Sequence, residues 1–197
     1  MWPWGHLAVG YIAYATYTRY RDDEYPAGPA VVLLALATQL PDLLDKPLAY
    51  AWAVLPAGRS LGHSVFLALP ICLAVALLAW RTRRVGERAA FAFAVGYLIH
   101  LLGDAVYPLL AVDLRSLSFL VWPLLPLPED EVTSLAYYVD ALLESTRSLE
   151  ALPATFAFEL LLFVLAVGLW IQHRAPPLPG LARGLGGGDA GPDERSE

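Results

Sequence analysis

Three stretches of this chain contain almost nothing that water could hydrate. Residues 61–80 carry no charge, residues 89–110 carry Asp104 as their only carboxylate, and residues 154–172 are interrupted only by Glu159. Bilayer hydrocarbon is about 30 Å thick and needs roughly 20 apolar residues per helix, fewer where the span tilts or the bilayer thins. Backbone in that medium must satisfy its own hydrogen bonds, so such stretches fold as helices. Residues 4–18 and 29–44 are shorter runs that end in polar residues, and they complete a set of five expected spans. Residues 49–55 and 117–127 are apolar but too short to span, and the second contains Pro123 and Pro126. They are expected as interfacial or re-entrant pieces packed on the bundle. The fold class is therefore all-α, a polytopic membrane helix bundle. Composition agrees: 57% of residues are hydrophobic and 16% charged, with mean hydropathy +0.52, against about 45–50% and about 25% in soluble domains. An ordinary soluble enzyme is excluded.

The basic residues orient the spans. Arg19 and Arg21 follow the first; Arg81, Arg83, Arg84 and Arg88 lie between the third and fourth; Arg174, Arg183 and Arg195 follow the last. Placing those loops in the cytoplasm puts nine basic residues inside and four outside (Lys46, Arg59, Arg115, Arg147), as the positive-inside rule requires. Trp2, Trp4, Trp52 and Trp122 then fall at the outer boundary, and Trp80 and Trp170 at the inner one. The expectation is a multi-pass cell-membrane protein with its N-terminus outside and its C-terminus cytoplasmic. No basic region precedes the first apolar run, which argues against a cleaved signal peptide.

Residues 1–173 form the expected membrane domain, and residues 174–197, with ten Gly or Pro among 24, the expected disordered cytoplasmic tail. Residues 132–149 carry an amphipathic pattern (Leu135, Tyr138, Val139, Leu142, Leu143) that predicts a surface helix. A net charge of −6 argues against nucleic acid as a partner. The single cysteine, Cys72, excludes an intramolecular disulfide and a Cys-based zinc finger.

Ionisable groups inside spans are expensive and are functional candidates by default. Here they are His6, Asp42, Asp45, His63, His100, Asp104 and Glu159. His6 opens the first span, Asp42 closes the second, His63 opens the third, His100 and Asp104 lie in the fourth, and Glu159 is in the outer third of the last. Five helices thus bring nitrogen or oxygen ligands to similar depth on one side, in a topology set by arginines and tryptophans alone. His100 and Asp104, four apart, share a helix face. As an isolated pair they read first as hydrogen-bonded partners, but with two further histidines and Asp42 at that depth they read as ligands for a divalent metal, zinc above all.

The ordered set His6, then Leu40-Pro41-Asp42, then Arg59-x-x-x-His63-Ser64, then Gly96-Tyr97-x-x-His100-x-x-Gly103-Asp104, then Val121-Trp122-Pro123 resembles the membrane-bound metal-dependent hydrolases, relatives of the bacterial LexA-regulated inner-membrane hydrolase. The resemblance covers residues 4–126, and that family in turn looks like a distant cousin of zinc-dependent phospholipase C. It implies that Asp42, His63, His100 and Asp104 hold one ion, that His6 joins a second with Asp104 bridging, and that Asp42 is both ligand and general base. Two positions depart from the family pattern. Gly58 stands where many relatives have a His before the arginine, and the second acid falls at Asp45 rather than two residues after Asp42.

Other polar residues admit two readings each. Asp45 is a ligand, or it pairs with Lys46 or caps a helix end. Arg59 binds a substrate phosphate, which guanidinium matches bidentately, or marks the membrane surface. Ser64 lacks a nucleophile elbow and is expected to hydrogen-bond backbone or histidine. Tyr97 and Tyr107 are donors behind the ligands, or core. Glu159 is an extra ligand or a packing residue, and His173 an interfacial side chain. The expectation from all of this is a membrane-embedded hydrolase of an ester or phosphodiester, on a lipid or lipid-linked substrate at the outer face, using one or two zinc ions. Asp42 and Arg59 are its catalytic residues. The alternatives are a non-catalytic protein with a structural metal, and a proton or metal transporter, which would need polar residues in the inner half of the spans as well.

Overall fold

The computed structural model describes residues 1–26, 28–82, 86–128, 143 and 154–176. Among these the regular structure is all helical, with no strand. The helices are α1 (Pro3–Asp22), α2 (Gly28–Ala37), α3 (Leu40–Tyr50), α4 (Val65–Thr82), α5 (Glu87–Leu110), a short 3₁₀ helix (Arg115–Val121) and α6 (Ala154–Gln172). The surface helix expected at 132–149 and the tail beyond residue 176 lie outside the described residues.

Four segments are long and apolar enough to cross a membrane: Gly28–Tyr50, which joins α2 and α3, then α4, α5 and α6. The sequence reading expected a fifth in α1. That helix has 20 residues, yet Arg19, Arg21 and Asp22 in its last turns, and its tyrosines and threonines, keep it below the same apolar standard. Tertiary packing holds it instead, since it lies against α2, α5 and α6. The two short apolar stretches do not span. Residues 49–55 run out of α3 into a turn, and residues 117–127 form the 3₁₀ helix and the chain after it.

Helix α5 is the axis, packed against α1, α2, α3, α4 and the 3₁₀ helix. Small residues make this possible, because helices in lipid associate through close backbone approach rather than through hydrophobic collapse. Ala37, Ala68 and Ala92 are fully buried. A Cβ on Gly96 would stand 2.6 Å from the Leu34 carbonyl oxygen and 3.0 Å from Ala37 Cβ, so α2 and α5 touch backbone to backbone there. The peripheral helices carry the opposite pattern. Leu69, Leu73, Leu77 and Leu78 of α4, and Leu160, Leu161, Val164 and Leu165 of α6, are exposed. Their apolar faces point outward, as a lipid surround requires.

Two interruptions place the polar residues. The helix that begins at Gly28 breaks at Thr38–Gln39 and resumes with Pro41 in the first turn of α3. The break leaves the Thr38 carbonyl, an end-of-helix acceptor, aimed at α5. Residues 51–64 then return to the bundle without regular helix, and Ala57, Ser60 and His63 are buried on the way. Helix α4 starts two residues after His63, whereas α5 continues ten residues past His100, roughly 15 Å further at 1.5 Å per residue. His63 thus enters from an irregular segment just ahead of α4, and His100 from within α5.

Candidate metal centre

Each of the five residues expected as ligands reaches one cluster. His6 comes from α1, Asp42 from α3, His63 from the segment before α4, and His100 and Asp104 from successive turns of α5. The three imidazoles are fully buried, and the two carboxylates nearly so. His63 Nε2 lies 3.0 Å from His100 Nε2, 3.4 Å from Asp42 Oδ1 and 3.4 Å from Asp104 Oδ2. His100 Nε2 lies 3.8 Å from Asp42 Oδ1 and 3.9 Å from Asp104 Oδ2. These are five of the six edges of a tetrahedron. An ion bound tetrahedrally at 2.0–2.2 Å spaces its ligand atoms by about 3.3–3.6 Å. The observed edges bracket that value.

The tautomers follow from the partners. His63 Nδ1 is 2.8 Å from Asp45 Oδ2, and His100 Nδ1 is 2.7 Å from the Thr38 carbonyl oxygen. A carbonyl, and a carboxylate already receiving backbone N–H groups, can only accept, so both rings donate from Nδ1. The two Nε2 atoms then face each other between two carboxylate oxygens, with His63 Nε2 within hydrogen-bond distance of His100 Nε2. Two imidazole nitrogens and two carboxylate oxygens that converge in this way form a donor set suited to a divalent metal ion.

A second focus adjoins the first. His6 stacks on His100, ring centroids 3.8 Å apart, with Nε2 at 3.1 Å from Asp104 Oδ1. Neither ring nitrogen of His6 has a hydrogen-bond partner of acceptable geometry. A buried imidazole without a partner is costly, and a ligand role would satisfy it. Asp104 presents Oδ2 to His63 and His100 and Oδ1 to His6, the arrangement of a bridging carboxylate. The described residues accordingly offer two candidate ligand groups, Asp42–His63–His100 and His6–His100–Asp104. The Met1 amine also lies 2.7 Å from Asp104 Oδ1.

The polar residues around the cluster sort themselves. Asp45 does not pair with Lys46. Adjacent residues on a helix do not face each other, whereas residues four apart do, and Lys46 Nζ sits 2.6 Å from Asp42 Oδ2. Asp45 is fully buried and turns to the 60–63 segment. Oδ2 accepts from the backbone N–H of Ser60 at 2.7 Å and of His63 at 3.3 Å, and Oδ1 from that of Gly62 at 2.7 Å. Sequence reading gave Asp45 no such part, since the contact spans fifteen to eighteen residues and leaves no local spacing signal. Tyr97 donates to the Gly62 carbonyl at 2.8 Å, and Ser64 to the Trp122 carbonyl at 2.6 Å, a backbone bond as expected.

Glu159 lies apart from both ligand groups. It accepts from the Trp2 N–H and the Tyr107 hydroxyl, and so ties α6 to α1 and α5. His173 meets the Tyr11 hydroxyl at 2.9 Å, and partial burial lowers its pKa. The Arg59 guanidinium lies over the Phe119 ring at 5.4 Å, and Phe119 meets His63 edge-on at 6.0 Å. Arg59 is thus one aromatic ring away from the ligands.

The family model described as YdjM inner membrane protein matches residues 1–176. The chain belongs to that family. No curated protein and no solved structure matches it.

Proposed function

We propose that this member of the YdjM inner membrane protein family is a metal-dependent hydrolase of an ester or phosphodiester, acting on a lipid or lipid-linked substrate at the outer face of the membrane. The observation that carries the reading is the convergence of two imidazole nitrogens, His63 Nε2 and His100 Nε2, with two carboxylate oxygens, Asp42 Oδ1 and Asp104 Oδ2, at contacts of 3.0–3.9 Å. Zinc bound there would supply a water acidic enough to yield hydroxide near neutral pH. Four protein ligands close a tetrahedron, and closed sites are structural, whereas catalytic ones keep a position open. The open position therefore belongs to the His6–Asp104 side, where fewer side chains converge. Asp104 links the two foci through its two oxygens.

The other residues take roles that follow from their contacts. Thr38 and Asp45 hold the two Nδ1–H groups and so turn both Nε2 atoms toward the carboxylates. Asp42 is a ligand through Oδ1, and the general-base role implied by resemblance requires Lys46 to move off Oδ2. Lys46 is the most exposed group in contact with the cluster, with about 28% of its side chain open, so substrate approaches past it. Arg59 lies behind Phe119 and supplies positive charge to an anionic substrate. Nine basic residues against four support an N-terminus, and with it a cluster, on the outer side.

A second reading has its own support: the complete burial of the three imidazoles suits an ion that only staples the helices. Metal analysis of the purified full-length protein, wild type and Asp104→Ala, tests the metal centre. The expected result is one or two zinc per chain, with loss in the variant. A protein that purifies without metal, and binds none on titration, overturns both readings. Hydrolysis of a phosphodiester or lipid ester that is abolished by chelation and restored by zinc separates the enzyme from the staple.

A further inference from the structure

Asp45 is a buried carboxylate that the proposed chemistry does not use. Among the described residues no lysine or arginine pairs with it, Lys46 being engaged with Asp42, and its side chain is fully buried. Its charge is balanced instead by four donors: the N–H groups of Ser60, Gly62 and His63, and His63 Nδ1. All four come from one stretch of four residues that has no helix to define its shape. Gly62 shows how tightly that stretch is drawn onto α3, since a Cβ there would stand 2.9 Å from the Pro41 carbonyl oxygen and 3.1 Å from Asp45 Oδ1.

We infer that Asp45 is the positioning residue of the metal centre: it templates the 60–63 segment and anchors the His63 ring through Nδ1–H, so that Nε2 is turned toward Asp42, His100 and Asp104. The inference rests on reading the cluster as a metal centre. Without Asp45 neither the ring nor the irregular backbone that carries it has this anchor, and the ring is free to turn Nε2 away from Asp42 Oδ1 and Asp104 Oδ2, both 3.4 Å away. The carboxylate also makes the imidazole a stronger donor to the ion, as partners of ligating histidines do.

The test uses the full-length protein in detergent and two measurements. Zinc affinity is read by competition with a chromophoric chelator for wild type, Asp45→Asn, His63→Ala and the double variant. Asp45→Asn keeps the shape but puts an amide N–H₂ where a backbone N–H or the ring N–H requires an acceptor. The expected result is an affinity loss of about 10- to 100-fold that vanishes in the His63→Ala background, because Asp45 acts through His63. A loss of equal size in both backgrounds overturns the inference and leaves Asp45 as a packing residue. The second measurement needs no variant. In metal-free wild-type protein labelled with ¹⁵N-histidine, the ring shifts and couplings of His63 report its tautomer, and Nδ1–H is expected. An Nε2–H tautomer there overturns the inference even if Asp45→Asn fails to fold. A wild-type protein that binds no zinc but shows Nδ1–H refutes the metal reading and leaves the Nδ1–H anchor standing.

Discussion

Gly103→Ala should strip the His6 side of the centre while leaving every ligand in place. Gly103 lies on α5 one residue before Asp104, and a Cβ there would stand 2.9 Å from His6 Nδ1 and 3.1 Å from His6 Cε1. It would also stand 2.8 Å from Met1 Sδ, but the end of a methionine side chain can swing away. The His6 ring has less freedom, since its face is stacked on His100 at 3.8 Å. Ordinary carbon contacts begin near 3.5 Å, so the ring must retreat by roughly 0.5–1 Å. Metal–ligand distances tolerate about 0.2 Å, so displacement on that scale ends ligation. The effect on folding is smaller than the effect on metal. Overpacking costs about 1–3 kcal/mol, and replacing glycine by alanine within a helix returns about 1 kcal/mol. The assay is zinc per chain and chelator competition on detergent-purified Gly103→Ala, His6→Ala and the double variant. The two single variants should lose the same zinc, and the double variant no more than either, because both act on one imidazole. Wild-type zinc binding in Gly103→Ala, or a further loss on top of His6→Ala, refutes the reasoning.

Gly96→Ala should destabilise the bundle by about 1–3 kcal/mol, because its Cβ meets the Leu34 carbonyl oxygen at 2.6 Å and a backbone atom cannot rotate aside. Thermal unfolding in detergent checks this, and an unchanged transition would mean that α2 and α5 are not in backbone contact. For orientation, cysteines at Val54 and Gly86 in a Cys72→Ala background should react with an impermeant thiol reagent from opposite sides, Val54 from outside. Val54 is exposed and Gly86 has open space around it, whereas Gly58 packs on the Tyr50 hydroxyl and suits no label. Labelling of both from one side would refute the outward-facing site. Deleting residues 177–197 should leave zinc content and thermal stability unchanged, since that stretch is rich in Gly and Pro, and loss of metal on deletion would refute its assignment as a tail.

The helices were legible because lipid makes the signal one-dimensional: a long run without charge has no other way to bury its backbone. Residues 61–80, 89–110 and 154–172 show this, and helices α4, α5 and α6 cover them with ends shifted by a few residues at most. Helix α1 was harder to classify. Its burial comes from α5 and α6 on either side, so its tyrosines and threonines are tolerated by protein neighbours that a sequence window cannot see. The break at Thr38–Gln39 was also hidden, because residues 29–44 read as one run. Yet that break is what frees the Thr38 carbonyl for His100.

The ligand set was legible for a related reason. A histidine or aspartate in a span is conspicuous against its surroundings, and five of them fell at one depth. What holds the ligands was not legible, because it depends on contacts distant in the chain. Asp42, Asp45 and Lys46 form one helical turn, and sequence alone cannot tell which acid the lysine takes. Helix geometry favours the partner four residues away, and Lys46 goes to Asp42. That leaves Asp45 needing donors inside the bundle, and residues 60–63, ahead of the first turn of α4, have backbone N–H groups to give. Had α4 begun about two turns earlier, its own carbonyls would have taken those N–H groups, and Asp45 would have kept only the His63 ring as a partner.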